Sequence, residues 1–286
     1  MASIRKKLSE NINNSSNTRM DLASAGILGN WRPDELTHMS RYDKIASLAI
    51  EESKRLKRPI RILEIGCGEV WPMRVIYKAY TVKKSDIVEQ YIGYDIDPTC
   101  QQEHRYWPHG GEDIHDSAWF KTFNGEVRIQ DLTVNPLLDI PDDSIDFFYT
   151  TEVIEHMERQ FVEPWLVEAH RALREGGVAY VSTPNHDGSN DKLPEDHVYE
   201  WGYNELFELL DQYFTVEDVV GTFIQLPKFK RAQKEAEEKR GHYDGWTPEQ
   251  VRMIRNRFGR QWERVILAMP YPHMSNNCAW TLRKSK

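Results

Sequence analysis

The chain has 286 residues, 40% of them hydrophobic, and a formal charge of −8. That length can build one elaborated domain with a full core and a sizeable insertion, and the acidic balance excludes a protein that coats nucleic acid nonspecifically. No apolar run approaches the roughly 20 residues that span a bilayer, and the N-terminus MASIRKKLSENINNSSN lacks the apolar stretch of a signal peptide, so a cytoplasmic protein with no membrane partner is expected.

Residues 1 to about 30 are polar and rich in Asn and Ser, which predicts a loosely ordered arm. Met39 to Lys57 carries Ile45, Leu48, Ala49 and Leu56 at helical spacing among charges, which predicts an amphipathic helix laid against a sheet. Residues 1–58 are therefore read as an arm and a covering helix, with Arg41 and Tyr42 near the helix start. Ile60, Ile62, Leu63 and Ile65 then form an apolar run too short for a helix, a buried parallel strand ending in a Gly66-Cys67-Gly68 turn. In a doubly wound sheet this turn faces the crevice at the carboxyl ends of the strands, where free amides bind a cofactor. A dinucleotide site would have a third glycine where this chain has Trp71, which disfavours NAD. The three cysteines, Cys67, Cys100 and Cys278, are far apart and contain no C-x-x-C pair, so neither disulfides nor a zinc cluster is indicated; Cys67 supplies a small side chain in the turn.

Val70 to Tyr80 is the expected first crossover helix and Tyr91 to Asp95 the second strand. Glu64 and Asp95 place two carboxylates at the rim of the crevice, with Asp95 set to accept hydrogen bonds from ribose hydroxyls. Pro98 to Gly125 is a polar, aromatic-rich insertion. Its His104, His109 and His115, with Asp113 and Asp116, lack regular ligand spacing, so a solvated loop with one or two short helices is expected rather than a metal site. Glu126 to Gln130 is the third strand, followed by Asp131 and Leu132, and Ser144 to Tyr149 is the fourth. Phe161 to Leu173 reads as a core-facing helix ending at Gly176-Gly177, Val178 to Ser182 as the fifth strand, Tyr203 to Leu210 as a helix and Phe214 to Val220 as a strand. Ala279 to Arg283 completes an α/β fold. The expectation is a Rossmann-like, mostly parallel seven-stranded sheet with helices on both faces and an insertion before the last strand.

Domain limits follow from this reading: a core over 59–226, a helical insertion over 227–276 that could cap an acceptor, and the final strand in 277–286. Between Lys228 and Arg264 there are eleven Lys or Arg against six Asp or Glu, so this segment carries about +5 and the remainder about −13. An exposed charged helix pair accounts for that, and a local basic face is the alternative.

The fourth strand runs into Thr150-Thr151-Glu152-Val153-Ile154-Glu155-His156-Met157. Together with Leu63 to Gly68 (LEIGCG), Asp95, Asp131 and Arg174 to Asn185 (REGGVAYVSTPN), this stretch resembles the class I S-adenosylmethionine (SAM)-dependent methyltransferases over about residues 60 to 215. The resemblance implies that SAM is held by Glu64, Gly66, Cys67, Gly68, Asp95, Ile96, Asp131, Leu132 and Thr151, with Asp131 meeting the adenine amino group and Arg41 the SAM carboxylate. Asp131 also reads as a helix-cap or turn aspartate.

The pattern EVIEH, with Asp196 to Trp201 (DHVYEW), is similar to two O-methyltransferase subgroups, those of the ubiquinone pathway and of small-RNA 3′ ends. The second implies a divalent metal on Glu152, Glu155, His156 and His197. Residues three and four apart on a helical turn share a face, so Glu152 is expected to converge with Glu155 and His156, and Mg²⁺, Mn²⁺, Zn²⁺ or Fe²⁺ would suit the set. Glu152, His156 and His197 are thus the candidate catalytic residues. The acceptor is a small molecule or an RNA 3′ end, and Tyr149, Thr151, Asn185 and Tyr199 are placed on its side of the site. Phe229, Trp246 and Trp262 are candidate stacking residues for RNA. Metal-free transfer with a histidine base, and a SAM-binding scaffold without chemistry, are the competing readings.

Overall fold

A computed structural model describes residues 35–80, 83–102, 111–186, 193–240 and 246–285. Helix α1 (Glu35–Leu56) leads into β1 (Ile60–Ile65), α2 (Trp71–Ala79) and β2 (Val88–Asp95). A one-turn helix α3 (Ala118–Lys121) precedes β3 (Gly125–Ile129), and β4 (Ile145–Thr151) is followed by α4 (Val162–Ala172) and β5 (Leu173–Pro184). Then come α5 (Tyr203–Tyr213), β6 (Thr215–Phe223), the helical insertion α6 (Leu226–Arg240) and α7 (Pro248–Ala268), and β7 (Asn277–Arg283).

The seven strands lie in the order β3-β2-β1-β4-β5-β7-β6. The first five pair in parallel, while β7 runs antiparallel between β5 and β6. This is the expected α/β architecture. β1 and β4 each carry apolar residues side by side, Ile62-Leu63 and Phe147-Phe148, because both faces of the sheet are covered. Ile62 and Phe147 pack with Ile45 and Ala49 of α1 and Val75 and Ile76 of α2, whereas Leu63 and Phe148 pack with Trp165 and Leu166 of α4 and Leu206 and Leu210 of α5.

Two boundaries differ instructively from the expected ones. α4 stops at Ala172, and β5 starts five residues before Val178, because Leu173 already pairs with Ile145 and the ladder then slips across the positive-φ Gly176. Among its described residues the 98–125 insertion has three short helices rather than one or two, and its far end is not solvated: Ile114, Phe120 and Phe123 are fully buried in the core beneath α2. His115 there accepts the Val127 amide on Nε2 at 3.0 Å, while His104 and His109 lie outside the described residues.

The insertion carries its own small core, in which Phe229 and Ala232 of α6 meet Ile254 and Leu267 of α7, with Trp246 packed against them. Phe229 and Trp246 are therefore structural rather than exposed stacking platforms; the side chain of Trp262 lies outside the described set. α7 breaks helical geometry at Gly259 (φ 83°), and Arg255 spans the break to the buried carboxylate of Glu263 at 2.6 to 3.0 Å. Among the described residues no helix is long and apolar enough to cross a membrane.

Candidate active site

The turn after β1 is wound tightly, with Gly66 (φ 74°), Gly68 (φ 49°) and Val70 (φ 58°) all left-handed. Gly66 is required twice over, since a Cβ there would stand 2.1 Å from Val153 Cγ2. The amides of Gly66 and Cys67 donate to the Tyr94 carbonyl at 2.8 and 3.1 Å, and the Gly68 amide donates to Asp95 Oδ2 at 2.8 Å, so the loop is clamped to the end of β2. Cys67 fits as expected, its small side chain buried against Gly93.

This loop forms one wall of a cleft of about 1090 Å³, including open space, at the carboxyl ends of the strands, where an open α/β sheet binds ligands. Glu64, Gly66, Cys67, Gly68, Asp95 and Ile96 line it from one side. Asp131 and Leu132, after β3, line it beyond β2, while Thr151, Glu152 and His156, at and after the end of β4, line it beyond β1. Asp131 Oδ1 also accepts from the amide and hydroxyl of Thr133 at 3.0 and 2.5 Å, so the turn reading of this aspartate holds alongside its place in the cleft.

Five expected placements change. Glu64 is not at the rim but in the floor, 2% exposed, because strand alternation turns it toward α1. There it accepts from the hydroxyls of Tyr91 and, at 2.9 Å, Tyr149, and burial pushes its carboxyl up to about 8. Gly93, opposite Glu64 in β2, leaves the room that the Tyr91 hydroxyl occupies. Tyr149 is consequently a buried partner of Glu64, Tyr199 donates to Glu205, and neither lines the cleft.

Arg41 is 2% exposed and does not line the cleft; it contacts His38 Nδ1 at 2.6 Å and Glu152 at 3.5 Å.

Glu152 leaves the expected metal set. It is not on a helical turn: its φ is +55°, and only Ile154–His156 form a turn of 3-10 helix. Its carboxylate swings away to accept from Asn277 Nδ2 at 2.9 Å on both oxygens, and from Ser182 Oγ at 3.4 Å.

The other three members do converge, with one ligand atom from each of Glu155, His156 and His197 within 4.8 Å of the others. His156 holds its Nδ1 2.7 Å from the Asp196 carbonyl, and His197 holds its Nδ1 2.6 Å from Glu200 Oε1. A carbonyl or carboxylate oxygen only accepts, so each Nδ1 carries a proton and Nε2 is the nitrogen of each ring left for a ligand. The rings stand 5.3 Å apart at 85°. Burial lowers the His156 pKa below its ordinary 6.5, keeping the ring neutral. Glu155 is buried, accepts from Thr183 Oγ1 at 2.9 Å, and is pushed well above the carboxylate range by that burial and by nearby Glu152. Imidazoles pinned by carbonyl or carboxylate partners are how metal-binding histidines are oriented, so this donor set fits a divalent cation.

Sequence reasoning missed Tyr42 and Trp71 as cleft walls. Their rings stack 6.3 Å apart and 6° from parallel, and Trp71, 4% exposed, has no partner for its Nε1–H. The signal was present in Trp71, whose bulk replaces the third glycine. Asn277 was missed without any local signal, since its partner Glu152 lies 125 residues away.

A family model described as a methyltransferase domain matches residues 37–244. A protein of Mycolicibacterium smegmatis, described as a probable S-adenosylmethionine-dependent methyltransferase, is 33% identical over 169 residues, which is 57% of this chain and 54% of that protein. The chain thus spans about half the length of this curated relative. The 1,6-didemethyltoxoflavin-N1-methyltransferase of Burkholderia thailandensis, solved with 1,6-didemethyltoxoflavin and S-adenosylhomocysteine, superposes with a TM-score of 0.52 at 14% identity, over 100% of this chain and 89% of that one. The cyclase SpnF superposes with a TM-score of 0.50 at 19% identity, over 85% of this chain and 80% of its own. At such identities the likeness is one of fold, and a fold alone does not choose a reaction.

Proposed function

Because the chain belongs to the methyltransferase domain family, which it matches over residues 37–244, we propose that it transfers the methyl group of SAM to a hydroxyl oxygen of an acceptor bearing two neighbouring hydroxyls. The observation that carries this reading is the pair of imidazoles beside the glycine-loop cleft, each fixed through Nδ1 with Nε2 as its remaining nitrogen.

SAM supplies a methyl group on a positively charged sulfur whose charge vanishes on transfer, so the protein must mainly deprotonate the acceptor and align it about 3 Å from the methyl carbon. Asp95, anchored by the Gly68 amide, is placed to accept from ribose hydroxyls. Ile96 and Leu132 offer apolar contact to the purine, with Asp131 toward its amino group. The free indole N–H of Trp71 is a donor waiting for an acceptor atom of the cofactor. His156, neutral and lining the cleft, would take the acceptor's proton only where its Nε2 holds no cation.

Glu155, His156 and His197 would hold a divalent cation, whose chemistry is to chelate the two hydroxyls and lower the pKa of the attacking one. Two imidazoles with one carboxylate suit Zn²⁺ or Fe²⁺ better than Mg²⁺, with Mn²⁺ between them. A second reading, His156 as a base without metal, is favoured by the loss of Glu152 from the ligand set and by the lowered pKa of His156. A small-molecule acceptor is favoured over an RNA 3′ end because Phe229 and Trp246 serve the insertion's own core.

The test is methyl transfer to a catechol, an aliphatic vicinal diol and an RNA 3′-terminal oligonucleotide, with and without chelator, by the wild type and by His156→Ala and His197→Ala. The proposal expects transfer to a diol-bearing small molecule that chelator and either substitution abolish while cofactor affinity is kept. Full activity in chelator selects the metal-free reading. Unchanged turnover in both variants contradicts the assignment, and cofactor binding without turnover on any acceptor leaves a scaffold.

A further inference from the structure

A second cavity, about 910 Å³ including open space, lies between the loop after β5, the start of the helical insertion and the start of β7. Two links join it to the cofactor cleft. Glu200, which lines it, holds His197, whose ring faces that of His156 in the cleft. Asn276, which also lines it, directly precedes Asn277, the residue bound to Glu152 in the cleft wall.

Its lining is strongly polar. Asn185, Glu195, Glu200, Gln225, Lys228 and Asn276 surround it, and only Leu193 and Pro194 among the described lining residues are apolar. No aromatic ring is present among them, so neither a nucleobase nor a catechol would find a stacking surface. Asn185 is the most telling member. Its Nδ2 is directed to the carbonyls of Pro272, His273 and Ser275 at 3.4, 3.3 and 3.0 Å, which fixes the amide orientation. Its Oδ1 is then a buried acceptor with no partner in a side chain only 4% exposed. A buried acceptor left unmatched is unfavourable, so it calls for a donor from a ligand. The Glu195 and Glu200 carboxylates add acceptors, while the amides of Gln225 and Asn276 and the Lys228 ammonium add donors.

Resting on the methyl-transfer reading above, we propose that this cavity is the acceptor site and that it takes a polyhydroxylated, sugar-like ring, with one ring hydroxyl donating to Asn185 Oδ1 and a vicinal pair directed at His197 and His156. Ring hydroxyls both donate and accept, which matches a wall of mixed amides, carboxylates and one ammonium without needing aromatic faces. The helical insertion contributes Gln225 and Lys228 at its root, so it shapes acceptor choice rather than the chemical step.

The test uses the whole chain loaded with S-adenosylhomocysteine, titrated with the methyl α-pyranosides of glucose, mannose and galactose and with catechol, and followed by saturation-transfer NMR. Wild type should bind at least one pyranoside and bind it in preference to catechol. Asn185→Leu should weaken that pyranoside roughly tenfold or more, about the loss of one buried hydrogen bond. Gln225→Ala and Lys228→Ala, on the partly exposed root of α6, give the same readout if Asn185→Leu does not fold. Unaltered S-adenosylhomocysteine affinity in the three variants is expected. Pyranosides that fail to bind the loaded protein, or bind all three variants as they bind wild type, overturn the proposal. Failure of the wild type to bind S-adenosylhomocysteine at all would instead overturn the reading beneath it.

Discussion

Asn277, the first residue of β7, donates its side-chain amide to both carboxylate oxygens of Glu152 at 2.9 Å, tying the last strand to the loop that follows β4. Glu152 is held in left-handed backbone geometry (φ 55°) while this bond is made. Replacing Asn277 by Ala leaves that carboxylate to Arg41 and Ser182 alone. The expected cost is about 1–3 kcal/mol of folding stability, typical of a buried hydrogen bond to a charged group. Urea unfolding of Asn277→Ala measures it, and an unmoved midpoint would show that the bond contributes nothing.

The fully buried Glu64 gives stability a definite pH dependence. Its folded pKa is raised from 4.5 to about 8, so the folded state binds more protons than the unfolded one between those values. Its contribution is therefore complete below 4.5 and is lost as pH rises through about 8, with a slope of up to about 1.4 kcal/mol per pH unit in between. Glu64→Gln, which stays uncharged beside Tyr91 and Tyr149, should flatten this slope in urea unfolding across the window. An identical slope in the variant would place the charge elsewhere.

Burial keeps His156 below its ordinary pKa of 6.5. The acid limb of kcat/KM against pH should accordingly fall below 6.5, since the ring must be neutral to accept a proton or to ligate a cation. An acid limb at or above that value, or one that persists in residual activity of His156→Gln, would assign the limb to another group.

Gly66 and Val153 form a steric pair, with a Cβ on the first falling 2.1 Å from Cγ2 of the second. Gly66→Ala should weaken S-adenosylhomocysteine roughly tenfold or more, through both the clash and the left-handed φ. Adding Val153→Ala should recover part of the loss by removing the clash while leaving the strain. No recovery in the double variant would mean that backbone conformation alone governs the loop.

The framework of the site was legible because its signals are local. Ile60 to Gly68 announces a buried strand and a turn only glycine can make, and Asp95 and Asp131 stand at the ends of short apolar runs. What was not legible depends on contacts distant in sequence. Glu152 reads as a helical neighbour of Glu155 and His156 until its positive φ turns it toward Asn277, 125 residues on. Arg41 reads as a cofactor ligand, yet the fold spends it on His38 and Glu152. Glu64 reads as a rim residue because a motif does not say which face of the sheet a strand-end side chain takes; Tyr91 and Tyr149, on the two flanking strands, decide that.

The account rests on the cleft beside Gly66–Gly68 being built for an adenosyl sulfonium cofactor. Calorimetric titration of S-adenosylhomocysteine into the wild type and into Asp95→Ala tests this most directly. One saturable site in the wild type, weakened roughly tenfold or more when the carboxylate proposed to meet the ribose is removed, is the predicted result. Absence of binding to the wild type, or equal affinity in both proteins, would contradict it.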